Sequence, residues 1–315
     1  MTLAPVARHL QKLLMKKVLF VPDPFRGEAA RNYHASPDIL FFENIRFWPE
    51  EAKNSVAFAK RMARWGDCYV NDAFANCHRR EASLVALPKI IPSYAGLHLI
   101  DEITALEKII RSPKRPLIAV LGGAKIETKL PLIERFMGIA DRILVGGALA
   151  NTAFALMGKQ VGVSRIDAPV GKIKMSLFAD KKLLLAVDAV VARSPALTAS
   201  SAVRGIDTVG KGERIVDIGP ETQKIFAAHI RDAKTIVWNG PMGIAEIPEY
   251  AKGTRFVARA VEKSRAFSVV GGGDTVAALR RLRMLKGFGH VSTGGGAMLE
   301  FLAGKKLPAL EVLKK

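Results

Sequence analysis

The chain has 315 residues, a formal net charge of +19, a hydrophobic fraction of 49% and two cysteines. This length predicts two domains, and no apolar run is long enough to span a membrane. Two cysteines exclude a disulfide framework and a cysteine-rich zinc site, which fits a reducing cytoplasm.

The positive charge is spread along the chain. Residues 1–100 carry 14 Lys and Arg against 9 Asp and Glu, and residues 101–315 carry 34 against 20. A nucleic-acid-binding arm would concentrate such an excess in one place. We therefore expect a field that attracts anionic small molecules. Nucleic-acid binding is kept as an alternative, which predicts a steep loss of affinity with salt.

The first segment of the chain, residues 1–21, is basic and amphipathic, and no acidic residue precedes Asp23. A transit peptide has this composition. The apolar spacing is equally that of a helix with one apolar face, formed by Leu3, Val6, Leu10 and Leu13 or Leu14. We favour the helix and predict that this face packs on a core.

Short apolar runs recur along the chain and do not alternate with polar residues, which is typical of strands covered on both faces. The runs are "VLFVPD", "DILFFENIRF", "DCYVNDAF", "PLIAVLGG", "DRILVGG", "LLLAVDAVV", "ERIVDIGP", "KTIVWNGP", "AFSVVGGGDT" and "GHVSTGGG". Helix-period segments lie between many of them, among them 56–65, 102–110, 130–137 and 222–230. This alternation predicts an α/β fold, in which a parallel sheet carries helices on both faces and binds ligands at the carboxyl ends of its strands.

The segment "EITALEKIIRSPKRP" predicts a long helix that is stopped by Pro113 and Pro116. Three of the apolar runs precede this helix and seven follow it. We place the domain boundary there. The predicted parts are an N-terminal domain at 1–97, a linker helix at 98–113, a C-terminal domain at 114–300, and a final segment at 301–315 that returns toward the N-terminal domain.

Four segments combine a strand end, a glycine cluster and a helix start, namely "LGGAKIETKL", "VGGALANT", "GGGDT" and "STGGGA". Glycine adopts positive φ without steric cost and lets backbone N–H groups approach a ligand closely. A helix that begins there adds unpaired N–H groups and the positive end of its dipole. Such a turn occurring once would be weak evidence, but its repetition in one half of the chain predicts a phosphate-binding site.

Charged side chains accompany these glycines. Asp274 follows Gly272 and Gly273 at a helix start, where it suits a Mg²⁺ ion shared with nucleotide phosphates; the alternative is a helix cap. Lys125 and Lys129 are four residues apart and would project from one helix face toward the phosphates, or else form a solvated pair. No Gly-Lys-Ser/Thr closes any of the clusters, so none is a Walker A loop.

Eight stretches, taken together and in this order, resemble one family: "FFENIRF", "VNDAFANCHRREAS", "LGGAKIETKL", "VGGALANTAF", "DIGPET", "VWNGPMGIAE", "VVGGGDTVAAL" and "VSTGGGAMLEFLAGKKLPALEVL". They resemble phosphoglycerate kinases. The resemblance implies two doubly wound, Rossmann-like α/β domains joined by a long helix and a hinge. It also implies reversible phosphoryl transfer in glycolysis, from 1,3-bisphosphoglycerate on the N-terminal domain to MgADP on the C-terminal domain. We expect a cytoplasmic monomer that binds no membrane.

The same resemblance implies roles for individual residues. Arg46 and Arg79 resemble phosphoglycerate ligands, since a guanidinium fork suits a phosphate or a carboxylate. Lys129 resembles the lysine that follows the transferring phosphoryl group, and Gly273 and Gly296 are assigned to catalysis with it. The implied nucleotide ligands are Lys125, Lys129, Gly147, Asn239, Pro241, Glu246, Gly272, Gly273, Asp274 and Thr275. Among them, Glu246 is the implied ligand of the ribose and Asp274 that of Mg²⁺.

Each of these roles has a structural alternative. Arg46 and Arg79 are otherwise surface charges, Glu246 is otherwise a solvated acid, and Asn239 is otherwise a turn residue. His78, which precedes Arg79, receives no catalytic role, because phosphoryl transfer relies mainly on positioning and charge neutralisation.

The chain departs from the family in three places. Ala245 stands where the family usually has an aromatic residue before the ribose acid, so we expect looser packing of the nucleotide. The segment 3–14 resembles a stretch well inside the family's N-terminal domain, so we expect that domain to be incomplete, loosely packed and exposed at its strand edges. We accordingly expect nucleotide binding with poor turnover or none, and the alternative is a nucleotide-binding protein without kinase chemistry. The stretch from Gly162 to Leu183 is shorter and more basic than the helical stretch of the family. We therefore do not expect the family's outer helix to form there in full.

Overall fold

The structure, a computed structural model, describes residues 2–26, 37–167, 177–178, 180–194 and 200–313. These residues divide into two units. The first unit comprises the described residues of 1–71, 79–95 and 308–315, and the second those of 72–78 and 96–307. The helix predicted as a linker at 98–113 groups with the second unit, and the predicted domain limits stay a prediction.

The α-helices of the described ranges are α1 (Ala4–Leu14), α2 (Pro49–Ala52), α3 (Val56–Met62), α4 (Leu97–Ile110), α5 (Ile126–Ile139), α6 (Gly147–Leu156), α7 (Pro220–Asp232), α8 (Lys252–Ser264), α9 (Gly273–Arg281), α10 (Gly296–Leu302) and α11 (Pro308–Glu311). The helices predicted from the apolar period are α3, α4, α5 and α7, and all of them are confirmed. None of the described helices has both the length and the apolar character that a membrane span requires.

The strands are β1 (Val18–Val21), β2 (Ile39–Phe42), β3 (Tyr69–Asn71), β4 (Ser93–Ala95), β5 (Leu117–Leu121), β6 (Arg142–Val145), β7 (Leu183–Leu185), β8 (Asp188–Ala192), β9 (Ser201–Gly205), β10 (Arg214–Ile218), β11 (Thr235–Asn239), β12 (Phe267–Gly271) and β13 (His290–Ser292). Every apolar run of the sequence contains a strand. β4 and β9 lie outside those runs and were not predicted.

The first unit holds two small parallel sheets, β1 with β2 and β3 with β4. Its core contains Phe58, Ala59 and Ala82, with Phe25 and Trp48 packed against them. The rings of Phe25 and Trp48 meet edge to face, with their centroids 5.1 Å apart. Aromatic packing of this kind supplies much of the apolar contact in a unit whose sheets are short.

Helix α1 forms where the sequence predicts a helix, but the predicted apolar face is not buried. Within the described helix only Ala7 is buried, whereas Val6 is 49% and Leu13 is 67% exposed. Successive residues turn by about 100° around a helix axis. Because the buried side is that of Ala7, Val6 and Leu13 point elsewhere. The prediction that the apolar spacing faces a core was therefore wrong for Val6 and Leu13, whereas Leu3 and Leu10 are half-buried on the side of Ala7.

The second unit is built on a six-stranded parallel sheet in the order β13-β12-β11-β5-β6-β7. Every residue of β5 and β11 is buried, as the unbroken apolar runs predict for strands covered on both faces. This order is that of a doubly wound α/β fold, so the predicted fold class is confirmed. The chain order reverses between β5 and β11, and the carboxyl ends of such a pair flank the usual ligand crevice.

A second sheet departs from the all-parallel prediction. β10, β8 and β9 form a separate antiparallel sheet. The run "LLLAVDAVV" contains two strands, β7 in the parallel sheet and β8 in the antiparallel one. β9 is mostly exposed. Its sequence therefore contains no apolar run from which a strand could be predicted.

Candidate functional site

Two loops meet where the strand order reverses, at the carboxyl ends of β5 and β11. The amide of Gly122 donates to the carbonyl of Asn239, and that of Gly123 donates to the carbonyl of Pro241, each at 2.8 Å. A Cβ on Gly240 would overlap the carbonyl of Gly122, and a Cβ on Gly122 would overlap that of Pro241. Only glycine therefore allows these two loops to approach so closely.

Two cavities open beside these loops. Their volumes are about 520 Å³ and about 270 Å³. Gly123, Ala124, Arg165 and Asp274 line both of them, so the two cavities adjoin and form one site. Combined, they are large enough for a small-molecule ligand.

The structure brings together all the residues that the sequence assigns to the nucleotide. The first cavity is lined by Lys125, Lys129, Asn239, Gly272, Gly273, Asp274, Thr275 and Gly296. The second is lined by Gly147, Pro241 and Glu246, again with Asp274. Their roles toward a nucleotide stay proposals, but their convergence on one site is a property of the fold.

The start of α9 faces the first cavity. Gly272 precedes this helix with a φ of 98°, and Asp274 lies in the first helical turn. No side chain caps the helix at this end. A Cβ on Gly273 would meet no atom within 4 Å, so glycine leaves open space in front of the first amides. An anion in that space would accept hydrogen bonds from them and be stabilised by the helix dipole.

The start of α5 is held by a distant segment. Its N-cap residue, Lys125, makes no capping hydrogen bond with its side chain. Instead, Oδ2 of Asp167 accepts from the amide of Ile126 at 2.7 Å. The stretch that carries Lys125 and Lys129 is therefore fixed from outside its own helix. No local pattern in the sequence indicates this bond, because its partners are 41 positions apart.

Lys129 is only 6% exposed. Burial lowers its pKa and the neighbouring charge of Lys125 lowers it further, whereas the carboxylates of Asp274 and Asp167 raise it. Its Nζ donates to the Lys125 carbonyl at 3.5 Å. Because these contacts compensate the buried ammonium only in part, an anion in the cavity would stabilise its charged form.

Thr275 and Asn239 are buried, and the structure shows a positioning role for both. Oγ1 of Thr275 accepts from the amide of Gly240 at 2.7 Å, and Nδ2 of Asn239 donates to the carbonyl of Gly271 at 2.9 Å. These bonds join the loop after β11 to the segment between β12 and α9. No local pattern in the sequence reveals this role, because it depends on which strands are neighbours in the sheet.

No group of three or more His, Cys, Asp or Glu side chains in the described ranges lies close enough together to hold a metal ion. Asp274 is an exposed carboxylate that lines both cavities. Magnesium in nucleotide sites commonly takes one or two carboxylates, with phosphate oxygens and water as its other ligands. A single acid in this position fits that arrangement and does not fit a metal held by protein ligands alone.

In the first unit, Arg46 and Arg79 meet at one carboxylate, that of Glu81. Nε of Arg46 lies 3.2 Å from Oε1 and 3.1 Å from Oε2 of Glu81, and Nη2 of Arg46 lies 3.0 Å from Oε2. Nη1 of Arg79 lies 3.4 Å from Oε1 of Glu81. Glu81 is 9% exposed. The two predicted phosphoglycerate ligands are thus brought together, and Glu81 is a member of this cluster that sequence reasoning missed.

A family model described as phosphoglycerate kinase matches residues 1–305. The chain belongs to the phosphoglycerate kinase family. It is 42% identical over 318 residues to the phosphoglycerate kinase of Herpetosiphon aurantiacus, covering 99% of this chain and 81% of that protein. It is 43% identical over 314 residues to the phosphoglycerate kinase of Rubrobacter xylanophilus, covering 98% of this chain and 80% of that protein.

A solved structure agrees with this assignment. The phosphoglycerate kinase of Coxiella burnetii matches with a TM-score of 0.86 and 40% identity, over 99% of this chain and 80% of that one. The family resemblance found in the sequence motifs is therefore confirmed. Phosphoglycerate kinases are phosphotransferases that act on small molecules. Membership in this family suggests a nucleotide substrate, and the cavities are the candidate site for it.

Proposed function

We propose that this chain catalyses the phosphoglycerate kinase reaction, in which a phosphoryl group passes reversibly between 1,3-bisphosphoglycerate and MgADP to give 3-phosphoglycerate and MgATP. The observation that carries the proposal is the convergence of glycine-led helix starts and two lysines on one cavity in a chain of this family. The cellular setting proposed with it is the cytoplasm, and the proposed form is a monomer.

The nucleotide phosphates would lie in the first cavity. The amides at the start of α9, including that of Gly273, would bind phosphate oxygens, and the α10 start at Gly296 would add another amide. Lys129 would neutralise charge on the transferring group and Lys125 that on the nucleotide phosphates. Catalysis of this kind is mainly positioning and electrostatic stabilisation, because phosphoryl transfer requires little covalent chemistry from the protein.

The ribose would lie in the second cavity, with Glu246 as acceptor for its hydroxyls and Gly147 and Pro241 as neighbours. Asp274 would hold Mg²⁺ together with phosphate oxygens and water. When bound, this ion would supply positive charge that neutralises the phosphate oxygens. Arg46 and Arg79 would bind the phosphate or carboxylate of the phosphoglycerate substrate.

The proposal is tested by measuring MgADP binding calorimetrically and turnover on the same preparation of the full chain. We expect Lys129→Ala to lower turnover by roughly 10²-fold or more, since it removes a charge that acts on the transferring group. Lys263→Ala is the matched control, because Lys263 is an exposed lysine of α8 outside both cavities.

Two results would contradict the proposal. If folded wild type binds no MgADP, the cavities are not a nucleotide site. If it binds MgADP without turnover, the proposed catalysis is wrong and the nucleotide-binding alternative is supported. The same assay measures whether turnover is as weak as an incomplete N-terminal domain would make it.

A further inference from the structure

The guanidinium of Arg165 has no role in the proposed reaction. Arg165 lines both cavities at their junction. It is exposed, and its side chain makes no ion pair within the part of the chain that the structure describes. It lies in the basic stretch in which this chain departs from the family pattern, so the motifs gave it no function.

The backbone on either side of Arg165 is held in place by buried groups. Oγ of Ser164 accepts from the amide of Ile215 at 2.8 Å. Nδ2 of Asn151 donates to the carbonyl of Arg165 itself at 3.3 Å. Ser164 is 9% and Asn151 is 3% exposed, so these bonds are shielded from water and fix the main chain from which the guanidinium extends.

The support continues on the far side of Arg165. The amide of Asp167 donates to Oγ1 of Thr152, a fully buried residue of α6, at 3.0 Å. The carboxylate of Asp167 holds the first amide of α5 at Ile126. The same short segment thus positions the lysine-bearing helix and Arg165, as is required of a site whose charged groups must act on one ligand.

The second cavity also contains polar atoms that lack partners. Oδ1 of Asn151 and Nε of Arg214 are buried and have no hydrogen-bond partner among the described residues, and both residues line this cavity. Buried polar atoms are rarely left unpaired in native proteins. Their presence beside Arg165 indicates that a polar ligand completes the second cavity as well as the first.

These positions define how a nucleotide would lie along the two cavities. A nucleotide with its terminal phosphates at the start of α9 and its ribose near Glu246 must pass the junction of the two cavities. The group at that junction is the phosphate nearest the ribose. A guanidinium is the side chain best suited to bind such a group, because its donors match two phosphate oxygens at once.

We propose that Arg165 binds the phosphate group nearest the ribose of the nucleotide and thereby favours nucleotides over nucleosides. This inference rests on the proposed function, since it assumes that a nucleotide occupies both cavities. Arg165 is a binding residue in this account and takes no part in the transfer of the phosphoryl group.

The test compares wild type, Arg165→Ala, Arg165→Lys and the control Arg281→Ala in the full chain. Arg281 is an exposed arginine of α9 that lines neither cavity. Calorimetry with MgADP and with adenosine gives the affinities, and steady-state assays give kcat and KM. Because Arg165 is exposed and its backbone is held by other residues, its substitutions should leave the melting temperature unchanged.

For Arg165→Ala we expect an affinity for MgADP lower by about tenfold, the loss typical of one charge-assisted hydrogen-bonding group. The affinity for adenosine should change by less than about twofold, because adenosine has no phosphate group that Arg165 could bind. KM for ADP should rise while kcat stays the same, since the contact is made equally before and during transfer. Arg165→Lys should retain part of the affinity, and Arg281→Ala should behave as wild type.

Equal MgADP affinity in wild type and Arg165→Ala would overturn the inference and leave the proposed function intact. An equal loss for adenosine would also overturn it, as would a fall in kcat at unchanged KM, which would assign the guanidinium to the transferring phosphoryl group. Absence of MgADP binding in folded wild type would instead overturn the proposed function, and this inference with it.

Discussion

Glu81 shows how one residue alters the site formed by its neighbours. Its carboxylate is bonded to both Arg46 and Arg79, which are the two cations proposed for phosphoglycerate. Side chains of Arg46 and Arg79 are 41% and 47% exposed, whereas that of Glu81 is 12% exposed. If these two arginines bind phosphoglycerate as proposed, its anionic groups must compete with this carboxylate for the guanidinium donors.

Substitution of Glu81 by Gln should strengthen the binding of 3-phosphoglycerate. Gln keeps the size of the side chain and removes the competing charge, so we expect KM to fall by roughly three- to tenfold, in line with the modest strength of partly exposed ion pairs. Steady-state kinetics with 3-phosphoglycerate as the varied substrate measure this. Glu50→Gln, in the same unit, is the control, and an unchanged or higher KM in Glu81→Gln would show that Glu81 does not compete.

A buried acid of helix α4, Glu102, bonds to the segment before α10. This residue is 0% exposed. Its oxygens accept from the amide of Thr293 at 2.6 Å, from the hydroxyl of Thr293 at 2.8 Å, and from Nε2 of His290 at 2.9 Å. Burial by itself would raise the pKa of Glu102, but the hydrogen bonds from His290, Thr293 and Ser292 outweigh it and lower the pKa.

Replacing Glu102 by Gln should lower the free energy of unfolding by about 2–3 kcal/mol at neutral pH, because hydrogen bonds to a buried charge are lost. The folded-state pKa is below the ordinary value of 4.5, so the unfolded chain binds the proton first as the pH falls. The stabilisation is therefore complete above that value and is lost as the pH drops through the folded-state pKa.

Chemical denaturation of wild type and Glu102→Gln at a series of pH values from 3 to 7 measures both effects. The difference between the two proteins should be largest at neutral pH and should shrink in acid. Glu107→Ala is a control on the same helix, since Glu107 forms an exposed pair with Arg111 and should cost at most about 0.5 kcal/mol. A difference that does not depend on pH would argue against the role of the carboxylate charge.

At the scale of the whole molecule, the proposed nucleotide ligands all lie in the second unit, while Arg46 and Arg79 lie in the first. A ligand stabilises the part of a protein that binds it. MgADP should therefore raise the stability of the second unit, by about 2.7 kcal/mol at a concentration of 100 times its Kd.

Differential scanning calorimetry with and without MgADP tests this. For a unit of this size the gain corresponds to a rise in melting temperature of roughly 5–10 °C. If the two units melt separately, only the transition of the second should move. Asp274→Ala should reduce the shift, and an equal shift in that variant would show that the acid does not help to hold the magnesium nucleotide.

Much of the fold was predictable because its signals are local. The runs that form β5 and β11 are unbroken and apolar, and both strands are buried throughout. The glycines that follow them were expected to serve a ligand, whereas the structure shows that Gly122 and Gly240 let the two loops approach each other closely. The antiparallel sheet was missed because β8 is as apolar as a parallel strand, and its pairing with β9 and β10 depends on contacts distant in sequence.

The amino-acid sequence by itself determined most of the strands, several of the helices, the glycine-rich helix starts, the family and part of the cavity lining, because periodicity, glycine and motif order are properties of short stretches. Only the tertiary structure decided that Glu81 joins Arg46 and Arg79, that Asp167 holds the start of α5, and that Arg165 lies between the two cavities. These arrangements are made by hydrogen bonds and packing between residues far apart along the chain, and no local pattern in the sequence encodes which distant partners will meet.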